Sequence, residues 1–409
     1  MMNTQPAESQ DYSRLLILSA CLLLLLSFGY RSGFGLFVKP ITEANGWGRE
    51  VISVALALQN ICWGIIAVFA GGLADRFGNA KVIVVGTILY ALGMQLMSGV
   101  DNPWMLNVST GLLVGAGVAG TSFGIVLPAM ARAVGEQRRQ WALGLGTAVG
   151  SFGQFAVVPI AQLLIDAFGW MTALNILAAS SLTMALFAMP LAPYSGKQEV
   201  TQKTEGQKVT EALQEALGYR SYVLLVSGFF VCGFHVAFIT AHMPAFLTDN
   251  GFAANVGAWS ISLIGLCNVF GAYLSGILSG RILKRHVLVF IYLSRTAAIT
   301  LFMLIPFSLV SVLVFSAVMG FLWLATVPAT SGLVAVMFGT RYMALLYGIV
   351  FLGHQIGSFI GVWLGGWLYD RSGSYDLVWW LGAALGIMAA VVHWPIKETP
   401  VSRIVPQEV

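Results

Sequence analysis

The stretch Ser27-Phe28-Gly29-Tyr30-Arg31-Ser32-Gly33-Phe34 sets an arginine well inside an apolar run that begins at Leu15. A guanidinium keeps its charge at any working pH. Near the centre of a bilayer that charge costs at least about 2.5–3.5 kcal/mol unless it meets a cavity or a partner. The 17 acidic residues supply no partner, because each falls in a loop, in a tail or at a helix end. An intramembrane Arg31 without an intramembrane carboxylate is suited to receive an anion through charge-assisted, bidentate hydrogen bonds. A cation would meet only repulsion there. The expectation is that Arg31 lines a central cavity and binds a small organic anion.

Other polar residues sit in apolar runs and are candidates for the same site: His235, Asn268, Gln59, and His354-Gln355 between Gly353 and Gly357. Histidine titrates in the useful range, so His235 or His354 could let a proton accompany the anion. For each, the plainer alternative is a hydrogen bond between packed helices, as it is for Asn60 and Gln154. His242 follows His235 by two turns on the same face and precedes Met243-Pro244, a position for an outer-gate residue. Phe34, Phe123 and Trp323 could wall the apolar side of a pocket. Arg295, the other intramembrane arginine, is expected to bond backbone carbonyls or polar groups of a neighbouring helix, or to snorkel. Cys21, Cys62, Cys232 and Cys267 show no metal-type spacing and read as small buried apolar residues. No nucleophile–base pair, metal cluster or ATP-binding loop can be read, so neither an enzyme nor a cofactor is expected.

These residues must be positioned by membrane helices. Of 409 residues, 58% are hydrophobic and only 9% charged, with a mean hydropathy of +0.83; a soluble domain carries roughly 25% charged residues. Twelve spans are predicted, at 15–38, 50–74, 81–100, 105–131, 141–165, 170–192, 221–247, 256–280, 287–305, 309–338, 343–369 and 376–395. Each is near the about 20 residues a bilayer core requires. A polar stretch at 193–220 divides the chain into a six-helix bundle over 1–192, a cytoplasmic linker and a second bundle over 221–409. With the N-terminus inside, only Lys39, Arg49 and Arg371 fall among the outer segments, and the inner ones hold the other loop and tail Lys and Arg residues. That bias predicts cytoplasmic N- and C-termini. The net charge of +4 comes without a basic tract, so nucleic acid is not an expected partner.

The two halves are related. A shift of 204 carries Gly144, Gly153, Asp166 and Gly169 onto Gly348, Gly357, Asp370 and Gly373, and Gly29, Phe34 and Pro40 onto Gly233, Phe238 and Pro244. Parallel six-helix repeats describe a rocking transporter with its site between the halves at mid-depth. The glycines of the fourth and fifth spans, such as Gly117, Gly120, Gly150 and Gly153, are expected to form bearing surfaces for that rocking.

After the second span the chain reads Gly71-Gly72-Leu73-Ala74-Asp75-Arg76-Phe77-Gly78-Asn79-Ala80-Lys81. This resembles the signature loop of the major facilitator superfamily, departing from it at Asn79 and Ala80, where that family usually carries basic residues. The resemblance implies an all-α membrane protein of twelve transmembrane helices in two pseudo-symmetric six-helix bundles. It also implies inner-gate roles for Asp75 and Arg76, with Arg132 as a partner. In that fold helices 1 and 7 face each other, so the same shift, which takes Arg31 to His235, implies that the pair brackets the substrate. A narrower resemblance, to the bacterial monocarboxylate-porter branch, rests on Arg31, Phe34-Gly35-Leu36-Phe37 and Asn45-Gly46-Trp47-Gly48-Arg49. Animal members carry an acidic residue and an arginine in helix 8 where this chain has Asn268 and Ala272, so their coupling mechanism does not transfer.

The expectation is a secondary transporter of a monocarboxylate, coupled to a proton. It would act as a monomer among the lipids of a bacterial inner membrane. Anion exchange and export of amphipathic drugs or toxic metabolites are the alternatives.

Overall fold

The computed structural model describes residues 7–134, 138–194, 208–339 and 342–401, and their regular structure is entirely helical. In the first half, α1 (Ala7–Gly33) continues through a 3-10 turn at Phe34–Phe37 into α2 (Val38–Asn45). There follow α3 (Arg49–Phe77), α4 (Asn79–Ser98), α5 (Pro103–Leu106), a π-helical turn at Asn107–Leu113, α6 (Val114–Thr121), α7 (Phe123–Val134), α8 (Arg139–Ser181) and α9 (Met184–Ala188). A short α10 (Val209–Gly218) leads into the second half. That half comprises α11 (Arg220–Asp249), α12 (Ala254–Arg281), α13 (Lys284–Leu304), α14 (Leu309–Leu322), α15 (Thr326–Phe338), α16 (Met343–Ser372) and α17 (Asp376–His393).

Eleven helical stretches among the described residues are long and apolar enough to cross a bilayer. One of them, Trp141–Ala192, has 52 residues. At 1.5 Å per residue it is more than twice as long as a hydrocarbon core of about 30 Å is thick, so it crosses twice. The division falls at Gly169 (φ 78°, ψ 162°), a backbone conformation that a Cβ disfavours. The chain thus makes twelve crossings, with the turn between the fifth and sixth reduced to one glycine.

Two spans that read as continuous in the sequence are interrupted. The fourth crossing breaks at Ser122, which is extended (φ −91°, ψ 178°). The tenth breaks over 323–325, between α14 and α15. Adding 204 to Ser122 reaches Thr326, the first residue of α15, so the breaks occupy equivalent places in the two repeats. The expected linker contains a helix. Residues 195–207 lie outside those described, but 209–218 form α10, with Ala212 and Ala216 buried one turn apart. Its first turn is held by the Glu211 carboxylate, which accepts from the Lys208 backbone N–H at 2.9 Å.

The glycine seams differ from expectation. In the fourth and fifth crossings, Gly117 and Gly120 pack on α4, Gly150 meets Phe123, and Gly153 lies on the Leu25 backbone, all inside the first half. The close approaches between halves use other glycines: Gly35 on Thr240, Gly64 on Gln355, Gly265 on Gln154 and Gly366 on Ser53. At Gly64 an added Cβ would come 2.8 Å from the Gln355 Cβ. Only a missing side chain lets these helices approach so closely.

Candidate functional site

Arg31 sits in the last turn of α1, half-buried, where α1, α3, α11 and α16 meet. With Phe34, Gly35, Leu56, Gln59 and Asn60 of its own half, and with Ala237, Thr240, Ala241 and Val362 of the other, it lines a cavity of about 20 Å³. That volume admits a water molecule and no organic substrate, so the halves are closed around this point. The guanidinium touches only neutral groups. Its Nη2 donates to Asn60 Oδ1 at 2.8 Å, and its carbon lies 4.6 Å from the centre of the Trp63 ring. Its Nε is buried without a hydrogen-bond partner.

Beneath Arg31, aromatic side chains cross the seam. Phe123, which follows the break at Ser122, stacks on Phe28 at 4.1 Å between centroids. Phe28 meets Trp63 at 6.1 Å, and Trp63 meets Phe351 of the second half at 5.2 Å. Phe351 lies parallel to the His354 ring at 5.7 Å. His354 Nδ1 is 3.3 Å from Gln355 Oε1. The Gln355 Nε2 and Trp63 Nε1 donors are buried without partners.

The remaining sequence candidates scatter. Gln59 and Phe34 line the cavity; Gln59 also donates to the Thr110 carbonyl at 3.3 Å. His235 does not bracket the site with Arg31. Its Nε2 lies 2.8 Å from the Gly382 carbonyl of α17, and its ring is 1% exposed inside the second half. At 100° per residue, position 235 is about 160° around α11 from the cavity-lining Ala237. The shift that matches the halves found the right helix and the wrong face.

Trp323 lies in the broken tenth crossing, and Asn268 of α12 bonds to it. Asn268 Oδ1 accepts from the Leu324 N–H at 2.9 Å, and its Nδ2 donates to Ser151 Oγ of the first half at 2.9 Å. Arg295, fully buried, donates to the Leu322 carbonyl at 2.7 Å and to that of Trp323. Ser275 donates to the Ala325 carbonyl. The break therefore satisfies its freed backbone groups with side chains, as an irregular segment within a membrane requires. Of the inner-gate candidates, the Asp75 side chain lies outside the described residues. Arg76 is exposed, with its guanidinium 5.2 Å from the Phe77 ring centre, and Arg132 is exposed in the last turn of α7.

The end of the molecule that carries Asp249 and Asp370 holds a latch that sequence reasoning missed. Arg49 of α3 pairs with Asp249 of α11 through two bonds, of 2.5 and 2.8 Å. Its Nη1 also donates to the Tyr375 hydroxyl at 2.9 Å, and its guanidinium lies 3.7 Å from the Tyr369 ring centre. The Asp370 oxygens each accept a first-turn N–H of α3, from Arg49 and Glu50, at 2.7 Å. A carboxylate of one half thus caps the positive end of a helix of the other. Glu50 and Arg371 add a pair at 3.3 Å. Burial pushes the Tyr375 hydroxyl well above the usual phenol range, so it stays protonated at any working pH. His242 completes the network: its Nδ1 is 3.2 Å from the Tyr375 hydroxyl, and its Nε2 is 2.8 Å from the carbonyl of Val362, a cavity-lining residue. In the sequence these carboxylates are loop and helix-end charges; the fold turns Asp249 and Asp370 toward α3 of the other half.

Two helical repeats, a guanidinium in the cavity between them and a charged latch across one end describe a membrane transporter. The chain belongs to the Major Facilitator Superfamily, whose sequence model matches residues 20–350. It is 25% identical to the uncharacterized MFS-type transporter YcxA of Bacillus subtilis (strain 168), over 85% of this chain and 86% of that one. It is 26% identical to monocarboxylate transporter 13 of Bos taurus, over 97% of this chain and 94% of the relative. In three dimensions it is similar to the nucleoside transporter NupG (TM-score 0.77, 15% identity, 92% of this chain and 98% of that one). It also resembles a D-xylose-proton symporter (TM-score 0.75, 15% identity, 95% and 100% covered). The protein is a multi-pass membrane transporter.

Proposed function

We propose that this transporter carries a small organic anion, a monocarboxylate, by alternating access and together with a proton. One observation carries the reading: Arg31 stands in the cavity between the halves, held by the neutral amide of Asn60 and the aromatic ring of Trp63. The substrate carboxylate is the counter-ion that the described residues do not place beside Arg31, bound by a fork of charged donors. The monocarboxylate transporters among the relatives support the same class. His354 is the better proton carrier of the two histidines first considered, because its ring stacks on Phe351 at the seam. The bundles are 1–192 and 221–409, with both termini cytoplasmic in a bacterial inner membrane and the Arg49–Asp249 latch on the outer side. Asp75, Arg76 and Arg132 form the inner gate. The protein acts as a monomer and as a transporter rather than an enzyme.

The test is carboxylate uptake into proteoliposomes under an imposed pH gradient. Wild type accumulates the acid, and Arg31→Ala loses uptake. Arg31→Lys keeps the charge without the planar fork and retains a small fraction. Undiminished uptake by Arg31→Ala would remove the central claim. Uptake that ignores the gradient but responds to a second anion on the opposite side would replace proton symport with exchange.

A further inference from the structure

We infer that the anion taken at Arg31 has a flat, ring-bearing body: an aromatic monocarboxylate, not a short aliphatic acid or a dicarboxylate. This rests on the reading of Arg31 as the carboxylate site. Two independent features point to it. The first is the run of rings below the guanidinium. Phe28 and Trp63 come from the first two crossings, Phe123 from the fourth and Phe351 from the eleventh. Phe28, Phe123 and Phe351 are only half-buried although they lie at the junction of the two halves. Their positions follow from the backbone: the break at Ser122 precedes Phe123 directly, and Trp63 adjoins Gly64, the point of closest approach to Gln355. Ring pairs prefer stacked or edge-on contact at these separations, so a planar body fits between such faces better than a flexible chain.

The second feature is a set of unused hydrogen-bond groups, all of them donors. Arg31 Nε, Trp63 Nε1 and Gln355 Nε2 are buried and lack acceptors. Buried donors without partners are rare because each has lost its water. A carboxylate offers about four lone-pair sites and no donor, which complements this set. The two features together ask for an acceptor-rich head on a π-faced body. A dicarboxylate would need a second cation near the rings, and His354, which stacks on Phe351 there, is already assigned to the coupled proton. The other intramembrane arginine, Arg295, lies outside the cavity lining, with its Nη2 on carbonyls of the tenth crossing.

Binding of four acids to the purified full-length protein tests this: phenylacetate, benzoate, propionate and cyclohexylacetate, the last matching phenylacetate in size but not in flatness. Phenylacetate is expected to bind about ten-fold tighter than propionate, the scale of one good aromatic contact, and more tightly than cyclohexylacetate. Phe351→Leu and Phe123→Leu should bring phenylacetate to within about two-fold of propionate while leaving propionate unchanged. Equal affinity for phenylacetate and propionate in wild type, or a preference that survives both leucine changes, overturns the inference and leaves the carboxylate reading intact. Phenylacetate binding that survives Arg31→Gln overturns the carboxylate reading instead. The wild-type comparison needs no variant, so it stands even where a leucine change prevents folding.

Discussion

At the scale of single residues, what decides the site is the neutrality of what surrounds Arg31. Asn60 Oδ1 holds the guanidinium at 2.8 Å, while Asn60 Nδ2 is anchored on the Leu56 carbonyl at 2.9 Å. Asn60 therefore orients the charge without cancelling it. Asn60→Ala should raise the KM for the carboxylate about ten-fold with little change in kcat, because a free guanidinium must be ordered by each substrate in turn. Asn60→Asp is the sharper experiment. It installs the missing counter-ion, so binding measurements at neutral pH should find the carboxylate excluded while the protein stays folded. Arg295 makes the contrasting case: it does not line the cavity, and its Nη2 donates to the backbone carbonyls of Leu322 and Trp323.

At the scale of elements, the broken tenth crossing is held together by three side chains from two neighbours, α12 and α13. Asn268 caps the Leu324 N–H, Arg295 takes the carbonyls before it, and Ser275 takes that of Ala325. Each group stranded by a substitution costs about 1–3 kcal/mol. Asn268→Ala and Arg295→Met should both lower the thermal unfolding midpoint in detergent. Arg295→Lys, retaining a charge and donors, should lower it less and should leave carboxylate affinity unchanged. A loss of affinity equal to that of Arg31→Ala would show that Arg295 binds substrate.

At the scale of the whole molecule, the latch sets which end is open. Arg49 is buried but Asp249 is partly exposed, so losing the charged hydrogen bonds costs about 1.5–3 kcal/mol. That is enough to move a two-state equilibrium by more than ten-fold. The latch also reaches the cavity, through Tyr375, His242 and the Val362 carbonyl. Arg49→Ala should therefore open the Asp249 end. With Thr240→Cys as reporter in a background lacking the four native cysteines, an impermeant thiol reagent applied from that side should label about ten times faster than with Arg49 present. Unchanged labelling would mean that the apolar seam alone keeps this end shut.

Much was settled by local order along the chain, because solvation acts on each segment separately. An apolar run long enough to cross a bilayer must do so as a helix, so the crossings follow from length and hydropathy. The charge at Arg31 was legible for the same reason: the cost of leaving a guanidinium in lipid belongs to the residue and its depth. The 204-residue shift relates the halves and anticipates a seam between them, though not which glycines form it. What a side chain faces was decided only in three dimensions. His235 turned toward α17 because its helix face is fixed by packing that spacing does not encode. Asp249 and Asp370 read as ordinary helix-end acids until the fold brought α3 of the other half against them. Asn268 and Arg295 stood as isolated polar residues until the interrupted tenth crossing presented backbone groups for them to satisfy. Burial costs are properties of a residue in its segment; partners are properties of the assembled molecule.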